Sequence, residues 1–172
     1  MVWEIIGKIC GKPDEPYWMG RFIENLDEQF TKLHKRTRDL VAKTSPELLY
    51  LRPENETNST LQFSCGEYIL RSAAAVEQTF GGLTANLWDD PFEWTLPEAL
   101  ASPDKVIEYL DEVEDTRHRG FELFKSDEEL WKEIMAPSGN TLLLSLVLDT
   151  LVRAAHYLGA AEATFELLRH QV

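Results

Sequence analysis

Apolar residues recur at helical spacing through most of the chain. From Asp14 to Ala42, Trp18, Phe22, Leu26, Phe30, Leu33, Leu40 and Val41 follow the three-to-four step of one helix face. Pro13 and Pro16 suit the start of this helix. Thr44-Ser45-Pro46 suits its end, because a residue before proline is pushed out of the helical region. The polar stretch Arg52–Ser59, which includes the Asn55 and Asn58 sequons, reads as a loop. A second helix is expected from Thr60 to Phe80, stopping at Gly81-Gly82.

Residues 83–101 carry Trp88, Pro91, Phe92, Trp94 and Pro97, too aromatic for a solvated linker, and are expected to pack over one end of the core. Ser102-Pro103-Asp104 is a helix start: a serine cap, proline at the first position, an acid in the first turn. The third helix then presents Val106, Tyr109, Leu110, Val113, Phe121 and Phe124. Its other side, with Asp111, Glu112, Glu114, Asp115 and Glu122, reads as a solvated face. Pro137–Asn140 is expected to open a fourth helix running nearly to residue 172. Four helices with little alternating β pattern predict an all-α fold, a four-helix bundle formed by one domain over residues 1–172.

Charge narrows the partners. Among 172 residues, 17 Lys+Arg stand against 30 Asp+Glu, a formal net charge of −13. That excludes a general nucleic-acid binder, which needs a concentrated basic patch, and disfavours anionic membranes. The longest apolar run, Leu142–Val152, is interrupted by Ser145, Asp149 and Thr150, and is shorter than the roughly 20 residues of a membrane span. The stretch MVWEIIGKICGK holds Glu4 and lacks a basic leader, a poor fit to a signal peptide. Cys10 and Cys65 belong to no CxxC pair, which suits a reduced, cytoplasmic setting. No GxSxG, P-loop or Rossmann glycine pattern occurs, and no cofactor is expected.

Candidate chemistry concentrates on the fourth helix. Between Leu142 and Ala161 almost every side chain is apolar or small, so this helix is expected to be buried on most of its surface. Its polar exceptions are Ser145, Asp149, Arg153, His156 and Tyr157, the first three in steps of four. This line is either the solvent edge, with an Asp149–Arg153 ion pair, or the wall of a polar pocket in the bundle. On the second helix Glu67 and Arg71 stand four apart, with Gln78 on the same face.

Three stretches together resemble the DinB-like (DinB/YfiT) superfamily: SPELLYLRP at 45–53, SCGEYILRSAAAVE at 64–77 and RAAHYLGA at 153–160. The resemblance spans roughly residues 14–170 and implies a four-helix bundle. Members of that family typically bind a divalent metal, zinc or nickel, through three histidines, one on the second helix and two on the fourth. The matching positions here are Arg71, Arg153 and Tyr157, with His156 one place early. Arginine stays protonated and has no lone pair for a metal, so the site is degenerate. Two guanidinium groups would stand where the family holds a cation. They either form a structural network with acids such as Glu67 and Asp149, or favour a small anionic or polar ligand. The resemblance also implies two alternatives: a metal-dependent thiol-transferase or hydrolase with other ligands, or a structural protein acting through oligomerisation. Relatives often form homodimers, and Trp88–Trp94 could serve such a contact.

Overall fold

The computed structural model describes residues 22–53, 63–89, 91, 98–137 and 139–169. The chain is mostly helical. Among the described residues, α1 (Phe22–Lys43), the single-turn α2 (Pro46–Leu49), α3 (Cys65–Ala85), α4 (Pro103–Glu122) and α5 (Leu143–Arg169) surround one apolar core. A 3-10 helix (Asp127–Trp131) and a small antiparallel hairpin, β1 (Glu133–Ala136) and β2 (Gly139–Leu142), connect α4 to α5.

Directions follow from contacts across the helix pairs. Ser72 Oγ donates to the Ala154 carbonyl at 2.9 Å and Thr79 meets Thr150 at 2.6 Å, so α3 and α5 run antiparallel. Asp27 pairs with Arg117, and Asp111 with Arg38, so α1 and α4 are also antiparallel. Phe30 packs on Phe80 at one end of α1, while Thr37 shares a cavity wall with Ser72 at the other, which opposes α1 to α3. The order is therefore up, down, down, up. Consecutive helices α3 and α4 point the same way, so the connection 86–102 must carry the chain back along roughly 30 Å of helix.

The core is aromatic at its centre. Phe80 lies edge-on to Phe30, with ring centroids 5.3 Å apart, and beside Phe121 at 5.2 Å. Gly120 of α4 makes room for this: a Cβ there would stand 2.4 Å from Phe80 Cδ1. The N-terminus of α1 is capped from afar, since the backbone N–H groups of Phe22 and Ile23 donate to the Asp127 carboxylate at 3.0 and 3.1 Å.

Several expectations need correction. The first helix is described from Phe22, and its expected start at Asp14 lies outside the described residues. The second begins at Cys65, where Ser64 and Glu67 form a reciprocal capping box. It runs through Gly81-Gly82 to Ala85. Those glycines answer a close approach, because a Cβ on Gly82 would strike the Trp88 indole at 2.2 Å. The stop is Asn86, left-handed at φ 56°. Trp88 folds back on α3; Phe92, Trp94 and Pro97 lie outside the described residues. Phe124 lies just past the end of α4 at Glu122.

Pro137 and Gly139 flank the hairpin turn rather than opening a helix, and Gly139 takes φ 108°, a conformation that suits glycine. The fourth long helix begins at Leu143 and is buried along one side only. Leu148 and Val152 are exposed, Val152 by 68%. By length and composition alone α5 is also apolar enough to cross a membrane. Here its buried side, Val147, Ala154, Leu158 and Phe165, belongs to the shared core.

Gly120→Ala tests the central packing. Alanine favours a helix by about 1 kcal/mol over glycine. Overpacking the fully buried Phe80 ring costs about 1–3 kcal/mol, which meets or exceeds that gain, so the urea midpoint is expected to fall.

Candidate functional site

The side chains singled out on the second and fourth helices do not form one constellation. Glu67 is buried. It accepts from the Ser64 backbone N–H and hydroxyl, both at 2.8 Å, and from the Arg52 guanidinium. Burial would raise its pKa, but the Arg52 and Ser64 hydrogen bonds outweigh burial and hold it below the usual carboxylate value. The guanidinium of Arg71 lies over the Phe63 ring, 4.2 Å from its centroid.

On α5, Ser145, Asp149, Arg153 and His156 are all exposed. The expected Asp149–Arg153 ion pair does not form. Arg153 instead reaches across to α3, donating to Gln78 Oε1 at 3.1 Å and to the Ala75 carbonyl at 3.4 Å. Gln78 in turn donates to the Trp88 carbonyl at 3.1 Å. Tyr157 is half-buried against the core, its ring 5.9 Å from that of His156. Arg153 thus attaches one to two turns along α3 from Arg71.

The stretches quoted for the family resemblance do meet in space. Tyr50 packs on Gly66, whose Cβ would be 2.7 Å from the Tyr50 ring, and Arg52 reaches Glu67. Ser72 bonds to Ala154, and Arg153 bonds to Ala75. The Arg153 guanidinium is occupied by amide and carbonyl oxygens and has no lone pair to give a metal. Among the described residues no three His, Cys, Asp or Glu side chains group so as to hold a metal ion. Cys65 is fully buried, and burial pushes its thiol up to about 12 against the pull of a hydrogen bond with Thr44, so it is not a ready nucleophile.

The densest charge chemistry lies between α1 and α4. Arg117 is entirely buried. It donates twice to Glu114, at 2.8 Å each, and also to Asp27; Thr31 Oγ1 accepts from it at 3.3 Å. His34 Nε2 stands 3.6 Å from Asp111 and its Nδ1 4.0 Å from Glu114, while Arg38 pairs with Asp111. His118 Nε2 is 3.3 Å from Glu114. Burial lowers the Arg117 pKa tendency, but Glu114 and Asp27 outweigh it and raise the value above the ordinary one. Beside the cluster is a cavity of about 30 Å³, bounded by His34, Thr37, Ser72, Glu114 and Arg117, with room for about one water.

The "solvated" face expected on the third helix is therefore only partly solvated: Glu114 is half-buried against Arg117, while Asp111 stays exposed and pairs with Arg38. One signal could have revealed this. Asp27, Thr31, His34 and Arg38 form a polar line at steps of four, three and four beside the apolar stripe of α1.

No family model, curated protein or solved structure matches the chain.

Two outcomes test the network. Arg117→Met removes the cation and leaves Glu114 half-buried without it; a loss of about 3–5 kcal/mol in urea unfolding is expected. His34 has a pKa below 6.5, chiefly through burial, with Glu114 and Asp111 pulling it up less strongly. Its neutral form contributes stability that is complete above about pH 6.5 and is lost as pH falls through that value towards the lower folded pKa. Between about pH 7.5 and pH 5, His34→Gln should show a shallower decline in unfolding free energy than the native chain.

Proposed function

We propose that the chain is a metal-independent four-helix bundle of DinB/YfiT-like type that acts by binding, with a small anionic or polar ligand at the degenerate site. The supporting observation is Arg153 bridging α5 to α3 through Gln78 and the Ala75 carbonyl. A guanidinium there supplies a fixed positive charge and a cross-helix tie where the resembling family relies on a metal. Arg71 and the Tyr157 hydroxyl complete the polar groups this reading assigns, with Asp149 and His156 at the exposed rim and Glu67 closing the cap of α3.

In this reading a ligand competes with Gln78 for the outer N–H groups of Arg153, which keeps binding weak and reversible. Carboxylate and phosphate geometries suit a guanidinium best. The proposal extends to a cytoplasmic setting, with neither nucleic acid nor membrane as partner.

A second reading, a helical protein acting through self-association, is favoured by the exposure of Leu148, Val152 and Leu167 along α5. A metal-dependent thiol-transferase or hydrolase is the third reading, and would need ligands other than Arg71, Arg153 and Tyr157.

One preparation separates these readings. Elemental analysis is expected to find no stoichiometric zinc, nickel or iron; finding one would favour the enzyme. Inorganic phosphate should bind in the millimolar range and lose most of its affinity in Arg153→Ala, with a stability change of about 1 kcal/mol. A large stability loss with phosphate binding unchanged assigns Arg153 to structure alone. A concentration-dependent mass that Val152→Asp abolishes would favour self-association.

A further inference from the structure

A cleft at the C-terminal turns of α3, lined by neither Arg71 nor Arg153, has the features of a binding site. It lies between the last two turns of α3, the C-terminal half of α4 and the segment that begins at Asn86. Its volume is about 370 Å³, within the range of small-molecule sites. Glu77 lines it, with Gly81 and Leu87 on one wall and Thr116 and Arg119 on the other; Asp89 and Pro91 close the mouth.

Glu77 is half-buried, and its orientation is set from behind. The hydroxyl of Tyr109, a buried residue of α4, donates to Glu77 Oε2. That bond engages Oε2 and leaves Oε1 for an incoming donor. No lysine or arginine pairs with Glu77 among the ion pairs of the described residues. Burial raises its pKa, Tyr109 opposes this, and the nearby charge of Glu112 raises it further. The group is thus a carboxyl without a counter-charge in a partly desolvated place.

The surroundings favour a positive ligand. The last turn of α3, with Thr84 and Ala85, lines the cleft, so the negative end of the helix dipole adds to Glu77 and Asp89. Among the described residues Arg119 is the one cation on the walls, and its guanidinium donates to Thr116 Oγ1 at 2.9 Å. Leu87, exposed by 62%, and Pro91 offer an apolar platform beside the carboxylate.

We propose that this cleft binds a small organic cation, an ammonium or guanidinium with an apolar body, with the charged head on Glu77 Oε1 and the body on Leu87 and Pro91. Tyr109 is a positioning residue: it aims the carboxylate without touching the ligand. Asp89 adds charge at the mouth. Binding stabilises the ionised form of Glu77, so affinity rises with pH through the raised carboxyl range.

The test compares three probes of one shape on the full chain by calorimetric titration: phenethylammonium, phenethyl alcohol and phenylacetate. Phenethylammonium is expected to bind with Kd of about 0.1–1 mM, as its size allows. The alcohol and phenylacetate should each bind at least about tenfold more weakly, a difference of about 1.4 kcal/mol. Glu77→Gln should remove the preference for the cation. Asp89→Asn, at an exposed position that carries no packing, should weaken it about two- to threefold and keeps the test open should Glu77→Gln fail to fold. Tyr109→Phe should weaken the cation and shift the pH at which affinity rises, a change that loss of packing alone would not cause. Equal binding of ammonium and alcohol, tighter binding of phenylacetate through Arg119, or unchanged affinity in Glu77→Gln would each overturn the proposal.

Discussion

Nearly every side of α3 is covered, and the rest of the molecule is arranged around that constraint. α1, α4 and α5 all touch it, and its buried residues include Ile69, Leu70, Val76 and Phe80 together with Ala73, Ala74 and Ala75. Small residues let neighbouring backbones come close. The closest of these approaches is sealed by hydrogen bonds that begin or end on α3, from Ser72 to Ala154 and between Thr79 and Thr150. A helix enclosed in this way cannot hold an unpaired charge cheaply. The ionisable groups of α3 accordingly leave by its ends or edges: Glu67 to the cap, Arg71 to the Phe63 ring, Glu77 to Tyr109.

Charge is then handled differently on the two faces of the molecule. Between α1 and α4 it is concentrated, with Arg117 fully buried and saturated by Glu114, Asp27 and Thr31. Such a pair adds little net stability compared with apolar residues of the same volume, but it strongly penalises any other pairing of α1 with α4. Between α3 and α5 the polar contacts are sparse and neutral apart from Arg153. The first interface therefore sets register by charge, the second by shape.

The existence of the four long helices was legible in the chain, because their apolar steps of three and four are sustained over many turns. Their ends were less so. Gly81-Gly82 looks like a stop, yet a glycine placed for the Trp88 indole has the same letter as one placed for a left-handed cap. The hairpin 133–142 escaped because strands of four residues carry too short an alternation to stand out. On α5, Leu148 and Val152 cannot be told from Leu144 and Val147 by residue type; only the neighbours decide which side is covered. Glu67 and Arg153 stand out in the chain as charges among apolar neighbours, but their partners Arg52 and Gln78 lie across a loop and across a helix interface. The Arg117 cluster was missed for the same reason. Adjacent acids on one helix read as solvated until a second helix brings Asp27 and His34 to them.

The order in which the helices leave the ribosome makes the covering of α3 a matter of timing. α5 is made after α4, the hairpin and the long return connection, so the α3 surface that receives Ala154 and Thr150 waits uncovered while those segments are synthesised. During that interval the nascent chain presents a continuous sticky stripe, and the half-apolar α5 adds another as it emerges. Folding of this protein is thus a race between the arrival of α5 and capture of the α3 surface by other chains.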